Sequence, residues 1–257
     1  MNQLSALFGV INYEFRMQFR RRALWIAFLC IALLLLVRGG FHTFVVFEPN
    51  EPPLPLVAEW ARSLNFLLPI VVGVLLADRL ARDKKTRVNE LFTSMPGALS
   101  IRLAGKYIGC TLATLIPIFL FHSIGVVSIL YQTHNMLTIP YALEAFATIS
   151  LPGILFVSAF SIACPFLLWV PLYQFLFVGY WFWGNILTPR NGIPTLSPTI
   201  LTPVGGYMAS GFFGDNQQLI QNATVTQAVE SLLLLLGISL LVMVALWQLM
   251  KWEQSRQ

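Results

Sequence analysis

The sequence predicts an all-α, polytopic membrane protein, with six transmembrane helices preceded by an N-terminal interfacial amphipathic helix. Three observations carry this reading. The chain of 257 residues is 57% apolar and 11% charged, with a mean hydropathy of +0.73, whereas an ordinary soluble domain carries about 25% charged residues. Apolar stretches of about twenty residues, the length needed to cross a bilayer core, recur along the chain. Basic residues gather in clusters between or beyond those stretches. So little polar material cannot cover a soluble fold of this size, and it excludes disorder, collagen-like repeats and soluble coiled coils. Residues 1–257 read as a single domain.

Residues 1–22 come first. Leu4, Leu7, Phe8, Ile11, Phe15 and Phe19 alternate at helical spacing with Glu14, Arg16 and Arg20, which suits a helix lying along the membrane surface. Arg20, Arg21 and Arg22 resemble the charged start of a signal peptide, but no small-residue cleavage site follows. The apolar stretch 23–44 therefore reads as a retained first span. Arg38 lies near its outer end, where a long side chain can reach the interface. The second span is expected over 58–79, with Glu59 and Arg62 on one helix face and able to neutralise each other. The third, 107–131, has His122 as its one ionisable group besides tyrosine and cysteine; no carboxylate stands three or four positions away, so it reads as a packing residue.

From Ala145 to Pro189 the chain carries no charge, too far for one helix. Pro165 and Pro171 bracket a predicted turn that divides this stretch into spans 142–163 and 168–187. The fifth span is dense in aromatics: Tyr173, Phe175, Phe177, Tyr180, Trp181, Phe182 and Trp183. These read as an interfacial belt and lipid-facing bulk, or as the wall of a site for an amphipathic substrate. The sixth span is 231–250. Residues 80–106 form a basic loop, and 188–230 a proline-rich outer loop with Phe212 and Phe213 exposed. Asn222-Ala223-Thr224 within it matches a short glycosylation acceptor.

Orientation follows from charge. Arg16, Arg20, Arg21, Arg22, then Arg79, Arg82, Lys84, Lys85, Arg87, Arg102, Lys106, and finally Lys251 and Arg256 make 13 of the 16 basic residues. Six spans with both termini cytoplasmic put all of them inside. The net charge of +5 is thus a topology signal. No basic stripe interleaved with aromatics marks a nucleic-acid surface. Cys30, Cys110 and Cys164 each sit in an apolar run without disulfide or zinc spacing, and read as small buried hydrophobes.

The loop Ala77-Asp78-Arg79-Leu80-Ala81-Arg82-Asp83-Lys84-Lys85, continuing through Asn89-Glu90-Leu91-Phe92-Thr93-Ser94-Met95-Pro96 to Gly105-Lys106-Tyr107, resembles the ABC-2 type permease family. Those proteins are the membrane subunits of type V-like ATP-binding-cassette exporters. The likeness extends to the order of amphipathic helix, six spans and charged loop between spans two and three. Phe92 stands where the family pattern has a second leucine, and the link between spans four and five carries no charge.

The resemblance implies that residues 80–106 hold a coupling helix seated in a groove of a separate ATPase subunit. Asp83, Arg87, Asn89, Glu90, Leu91, Phe92 and Met95 would face that partner, with Glu90 as a polar anchor. It further implies a second permease copy or a sister permease, contacts with membrane lipids, and placement in the cytoplasmic membrane of a bacterium. Gly105-Lys106 lacks the earlier glycine and following hydroxyl of a phosphate loop. No cofactor is therefore expected in this chain, with ATP and magnesium belonging to the partner. Two other classes compete. A membrane-embedded enzyme would need clustered acids, histidines or nucleophiles at membrane depth, and no His-Glu-x-x-His or equivalent occurs. An ATP-independent channel or scaffold would need no ATPase.

Overall fold

The apolar stretches become helices because a backbone buried in hydrocarbon must satisfy its own hydrogen bonds. The computed structural model describes residues 3–35, 52–85, 99–187, 194–215 and 220–256, and within these it is helical with no strand. In chain order the helices are α1 (Gln3–Phe19), α2 (Arg22–Leu35), α3 (Pro53–Leu76), α4 (Arg79–Lys85), α5 (Leu99–Thr133), α6 (Thr138–Ala145), α7 (Leu151–Ala163), α8 (Val170–Trp181), α9 (Gly206–Phe213) and α10 (Val225–Gln254). A π-helical segment, Phe146–Ser150, joins α6 to α7, and a second, Phe182–Ile186, extends α8.

Among the described residues, four helices are long and apolar enough to cross a membrane: Pro53–Arg82, Leu99–Thr133, Thr138–Phe166 and Val225–Gln254. The shorter Arg22–Leu33 is apolar as well. The first and third of the long helices are 67% buried over their apolar windows and form the centre, whereas Val225–Gln254 is only 22% buried and lies at the periphery. In a bilayer its Leu233, Leu240, Leu241 and Val244, all exposed, meet lipid.

Helix ends differ from the sequence expectation for a common reason: hydropathy reports the apolar part of a helix, whereas caps set its ends. The second span starts at Pro53 rather than near 58, because proline at the first helical position has no N–H to leave unpaired. The last begins at Val225, where the Thr224 hydroxyl accepts from the Gln227 N–H at 3.3 Å and the Gln227 side chain accepts from the Thr224 N–H at 3.0 Å. The same Thr224 is the hydroxyl residue of the glycosylation match. Residues 99–106, expected in the basic loop, are the first two turns of α5. The break at Pro165–Pro171 is as expected: a single 3₁₀ turn, Cys164–Phe166, ends one helix, and α8 starts at Val170.

Prolines inside the bundle explain its irregular stretches. Pro152 cannot donate back along the helix, and the π-helical turn directly before it is one way to absorb that loss. There the Asn65 side-chain amide donates to the Ile149 carbonyl at 2.8 Å. At the second π segment the Thr202 hydroxyl donates to Asn185 Oδ1 at 3.0 Å.

The segment 194–215 corrects one expectation. It is not an exposed loop: Met208 and Ala209 are fully buried and Phe213 nearly so, with Phe212 half-buried. Gly153 permits this entry, since a Cβ there would lie 2.2 Å from the Pro203 carbonyl oxygen. Asn65, beside Gly153, is twelve residues into its helix, about 18 Å from the start, so the segment dips well into the bundle. Proline content suggested a surface loop, but Gly206–Phe213 is an apolar helix with a face to bury. Arg62 holds its far end, donating from Nε to Asp215 Oδ2 at 3.0 Å.

Candidate functional site

A buried charge node ties α1 to both roots of the basic loop. Glu14 and Gln18, four residues apart, share one face of α1, and Arg21 follows in the short link to α2. Instead of facing solvent, as the amphipathic pattern suggested for Glu14, this stripe points inward. Glu14 is 3% exposed and Gln18 fully buried, whereas Leu4 and Phe8 are 68% and 67% exposed. Glu14 and Gln18 thus face the protein together with half-buried Ile11 and Phe15, while Leu4, Phe8, Asn12 and Arg16 stay exposed.

The partner face belongs to α5. Lys106 donates from Nζ to Glu14 Oε1 at 2.6 Å, and the Cys110 thiol, one turn later, lies 3.7 Å from Glu14 Oε2. Gly105 and Gly109 flank this pair and let α1 come close. A Cβ at Gly109 would sit 2.7 Å from the Ile11 carbonyl oxygen, and one at Gly105 would sit 2.7 Å from Val10 Cγ1. Backbone cannot yield as a side chain can. Gly109→Leu is therefore expected to push α1 off α5, which proteolysis of the N-terminal segment in detergent would report as faster cleavage. The same substitution at Gly237, which has open space around it, should leave cleavage unchanged.

The other root is held by Gln18, near the end of α1, and by Arg21 in the link to α2. Arg79, 1% exposed, donates from Nη2 to Gln18 Oε1. Arg21 makes a two-pronged pair with Asp78, at 3.0 Å and 2.9 Å, and also reaches the Leu75 carbonyl at 3.4 Å. Asp78 and Arg79 stand where α3 gives way to α4, and Lys106 stands where α5 is about to enter its apolar part. The join to α2 is fixed as well: the Trp25 indole donates to the Phe19 carbonyl at 2.9 Å, and the two rings meet edge to face at 5.2 Å.

Such an arrangement fixes three helices to one another. Ion pairs removed from water are strong only while both partners are present, and Glu14–Lys106 is a short, charge-assisted bond in a dry place. These bonds tie the start of α4, through Gln18 and Glu14 on α1, to α5. Among the described residues, no three His, Cys, Asp or Glu side chains gather as metal ligands.

The residues expected to meet an ATPase are distributed as follows. Asp83 lies on α4, whereas Arg87, Asn89, Glu90, Leu91, Phe92 and Met95 lie outside the described residues, as does Arg38. His122 is a buried packing residue, its Nε2 3.0 Å from the Ala142 carbonyl oxygen, and its own carbonyl accepts from the Trp60 indole at 3.1 Å. Of the cysteines, Cys110 is buried and Cys164 half-buried, but Cys30 is exposed on α2 rather than packed as a core hydrophobe.

The aromatic run divides by face. Tyr173, Phe177 and Trp181 are buried, with the Trp181 indole donating to the Phe66 carbonyl at 2.8 Å, while Phe175, Phe182 and Trp183 are exposed. A cavity of about 320 Å³ opens between this run and Phe156, Phe160 and Cys164.

Sequence reasoning missed the node. Glu14 is the first carboxylate in the chain, with none other before Glu48. Its i+4 relation to Gln18, set against Gly105-Lys106 and Gly109-Cys110, was the available signal. Comparison with models of known protein families and with curated proteins finds no match for this chain.

Proposed function

We propose that the chain is the permease subunit of an ATP-binding-cassette exporter, driven by a separate ATPase and seated in the cytoplasmic membrane with both termini inside. In this reading there are six spans: α2 with residues beyond it, and α8 with its π-helical extension, join the four long helices. The N-terminal helix α1 lies at the inner surface with its Leu4 and Phe8 face in lipid. Two copies, or one copy and a sister permease, enclose the path.

The observation that carries the proposal is the node. Residues 86–98, the part of the basic loop that resembles a coupling helix, are flanked on both sides by residues clamped to α1. A push by a soluble motor on that segment reaches α3, α5 and α1 together. An ATP-independent channel has no evident need for such a lever. ATP and magnesium are held by the partner, and this chain supplies the grip and the moving parts. Recovery of an ATP-hydrolysing subunit with the full-length chain in mild detergent tests the proposal.

The topology is tested separately. In a chain whose three cysteines are replaced by alanine, single cysteines at Asn50, Met136 and Asn222 are expected to label with an impermeant thiol reagent in intact cells. One at Thr86 is expected not to. Asp215 is unsuitable because it is buried against Arg62. Labelling at Thr86 with protection at the other three would reverse the orientation.

A further inference from the structure

We propose that a groove between α5, α7 and α10 is a binding site for an anionic phospholipid, taking one acyl chain in the groove and the headgroup phosphate at Lys251. The groove encloses about 590 Å³, and its walls include Leu103, Tyr107, Leu155, Leu240, Val244 and Trp247. The two polar groups midway along it are turned away. The Tyr107 hydroxyl donates to the Leu155 carbonyl at 3.0 Å, and the Ser239 hydroxyl donates to the Leu235 carbonyl at 2.6 Å. Apart from Ser100 and the Trp247 indole at one end, the walls offer water no free donor, so hydrocarbon is the fitting content.

Length and charge select the occupant. On α10 the lining runs from Leu236 to Trp247, eleven residues or about 16 Å. One leaflet contributes about half of a ~30 Å hydrocarbon core, so the groove is one acyl chain deep. Its two ends differ. Leu236 marks an end in the middle of the apolar helix, whereas Ser100, in the first turn of α5, and Trp247 mark the other. Lys251 stands one turn beyond Trp247 on the same helix face, with Nζ 5.6 Å from the centre of the Trp247 ring. Glu253, the nearest carboxylate on α10, is about 200° round the helix from Lys251. An exposed cation at the headgroup level, above an apolar slot, suits a phosphate with a net negative headgroup better than a zwitterion, whose amine Lys251 repels. The proposal needs only that α5 and α10 span a bilayer, and stands or falls apart from the ATPase reading.

The test uses the full chain in nanodiscs and reads Trp247 fluorescence, isolated as the difference between the wild type and Trp247→Phe. A quarter of the lipid is phosphatidylglycerol or phosphatidylcholine with brominated acyl chains, which quench tryptophan on contact. Brominated phosphatidylglycerol is expected to quench Trp247 at least twofold more than brominated phosphatidylcholine. Lys251→Gln should make the two equal, and Ala104→Phe, which fills the groove from a half-buried position, should weaken both. Equal quenching in the wild type would overturn the proposal, as would a preference that survives Lys251→Gln. Absent quenching by either lipid, with no effect of Ala104→Phe, would assign the groove to a protein neighbour instead. If Ala104→Phe fails to fold, the Lys251→Gln comparison decides alone.

Discussion

Replacing Lys106 with methionine is expected to destabilise the chain by about 3–5 kcal/mol, the cost of leaving one member of a buried ion pair alone. Methionine keeps the unbranched stem and most of the volume, so the loss is electrostatic rather than a cavity. Glu14 would remain a carboxylate 3% exposed, with a thiol as its remaining neighbour on α5. In thermal unfolding of the detergent-solubilised chain, the midpoint should fall on the order of 10 °C. Glu14→Gln combined with Lys106→Met should recover most of the loss, because a neutral pair does not leave a charge stranded. Arg21→Met offers the contrast. The Arg21–Asp78 pair is 28% and 31% exposed, and a pair that keeps contact with water contributes less than a dry one, about 0–1 kcal/mol at a fully exposed surface, so its midpoint should fall by less than half as much. Equal effects at Lys106 and Arg21 would mean that the node is not dry.

The contrast separates two jobs that the node performs. Lys106–Glu14 and Arg79–Gln18 lock α1 onto the bundle. Arg21–Asp78, nearer solvent, ties the start of α2 to the point where α3 gives way to α4, and it can part and reform at little cost.

What the residue order revealed, and what it concealed, follows from distance along the chain. The Pro165–Pro171 turn depends on residues a few positions apart and was legible, whereas the Thr224–Gln227 cap, equally local, went unread because hydropathy alone places the helix start at 231. His122 was legible as a packing residue because its neighbours in sequence offered no chemical partner. Arg62 was read against Glu59 on its own helix, but Asp215, 153 positions away, accepts from it. Glu14 and Lys106 are 92 positions apart, and no local pattern couples them. The spacing of α1 marked Glu14 as a polar position but could not show that it is buried against α5. The dip of 194–215 into the bundle was hidden because proline and glycine mark loops equally well at a surface and in the crevice that Gly153 opens.

Changing Leu91 and Phe92 together to serine is expected to abolish coupling to the ATPase while leaving the helices inserted. The two residues follow Glu90, and Pro96-Gly97 then break the chain before α5 begins at Leu99. An apolar pair beside a carboxylate suits insertion into a protein groove, where burying two such side chains contributes about 3–6 kcal/mol. Losing that much should weaken binding by at least a hundredfold. Glu90→Ala should reduce transport more than expression. The direct measurement is ATP hydrolysis by the complex recovered on the tagged, full-length chain in mild detergent and returned to nanodiscs. A co-purified ATPase that hydrolyses ATP with the wild type, and is lost or uncoupled with the Leu91/Phe92 double variant, is the predicted result. Recovery of a well-folded chain with no ATPase, or with hydrolysis indifferent to the double substitution, would contradict the account.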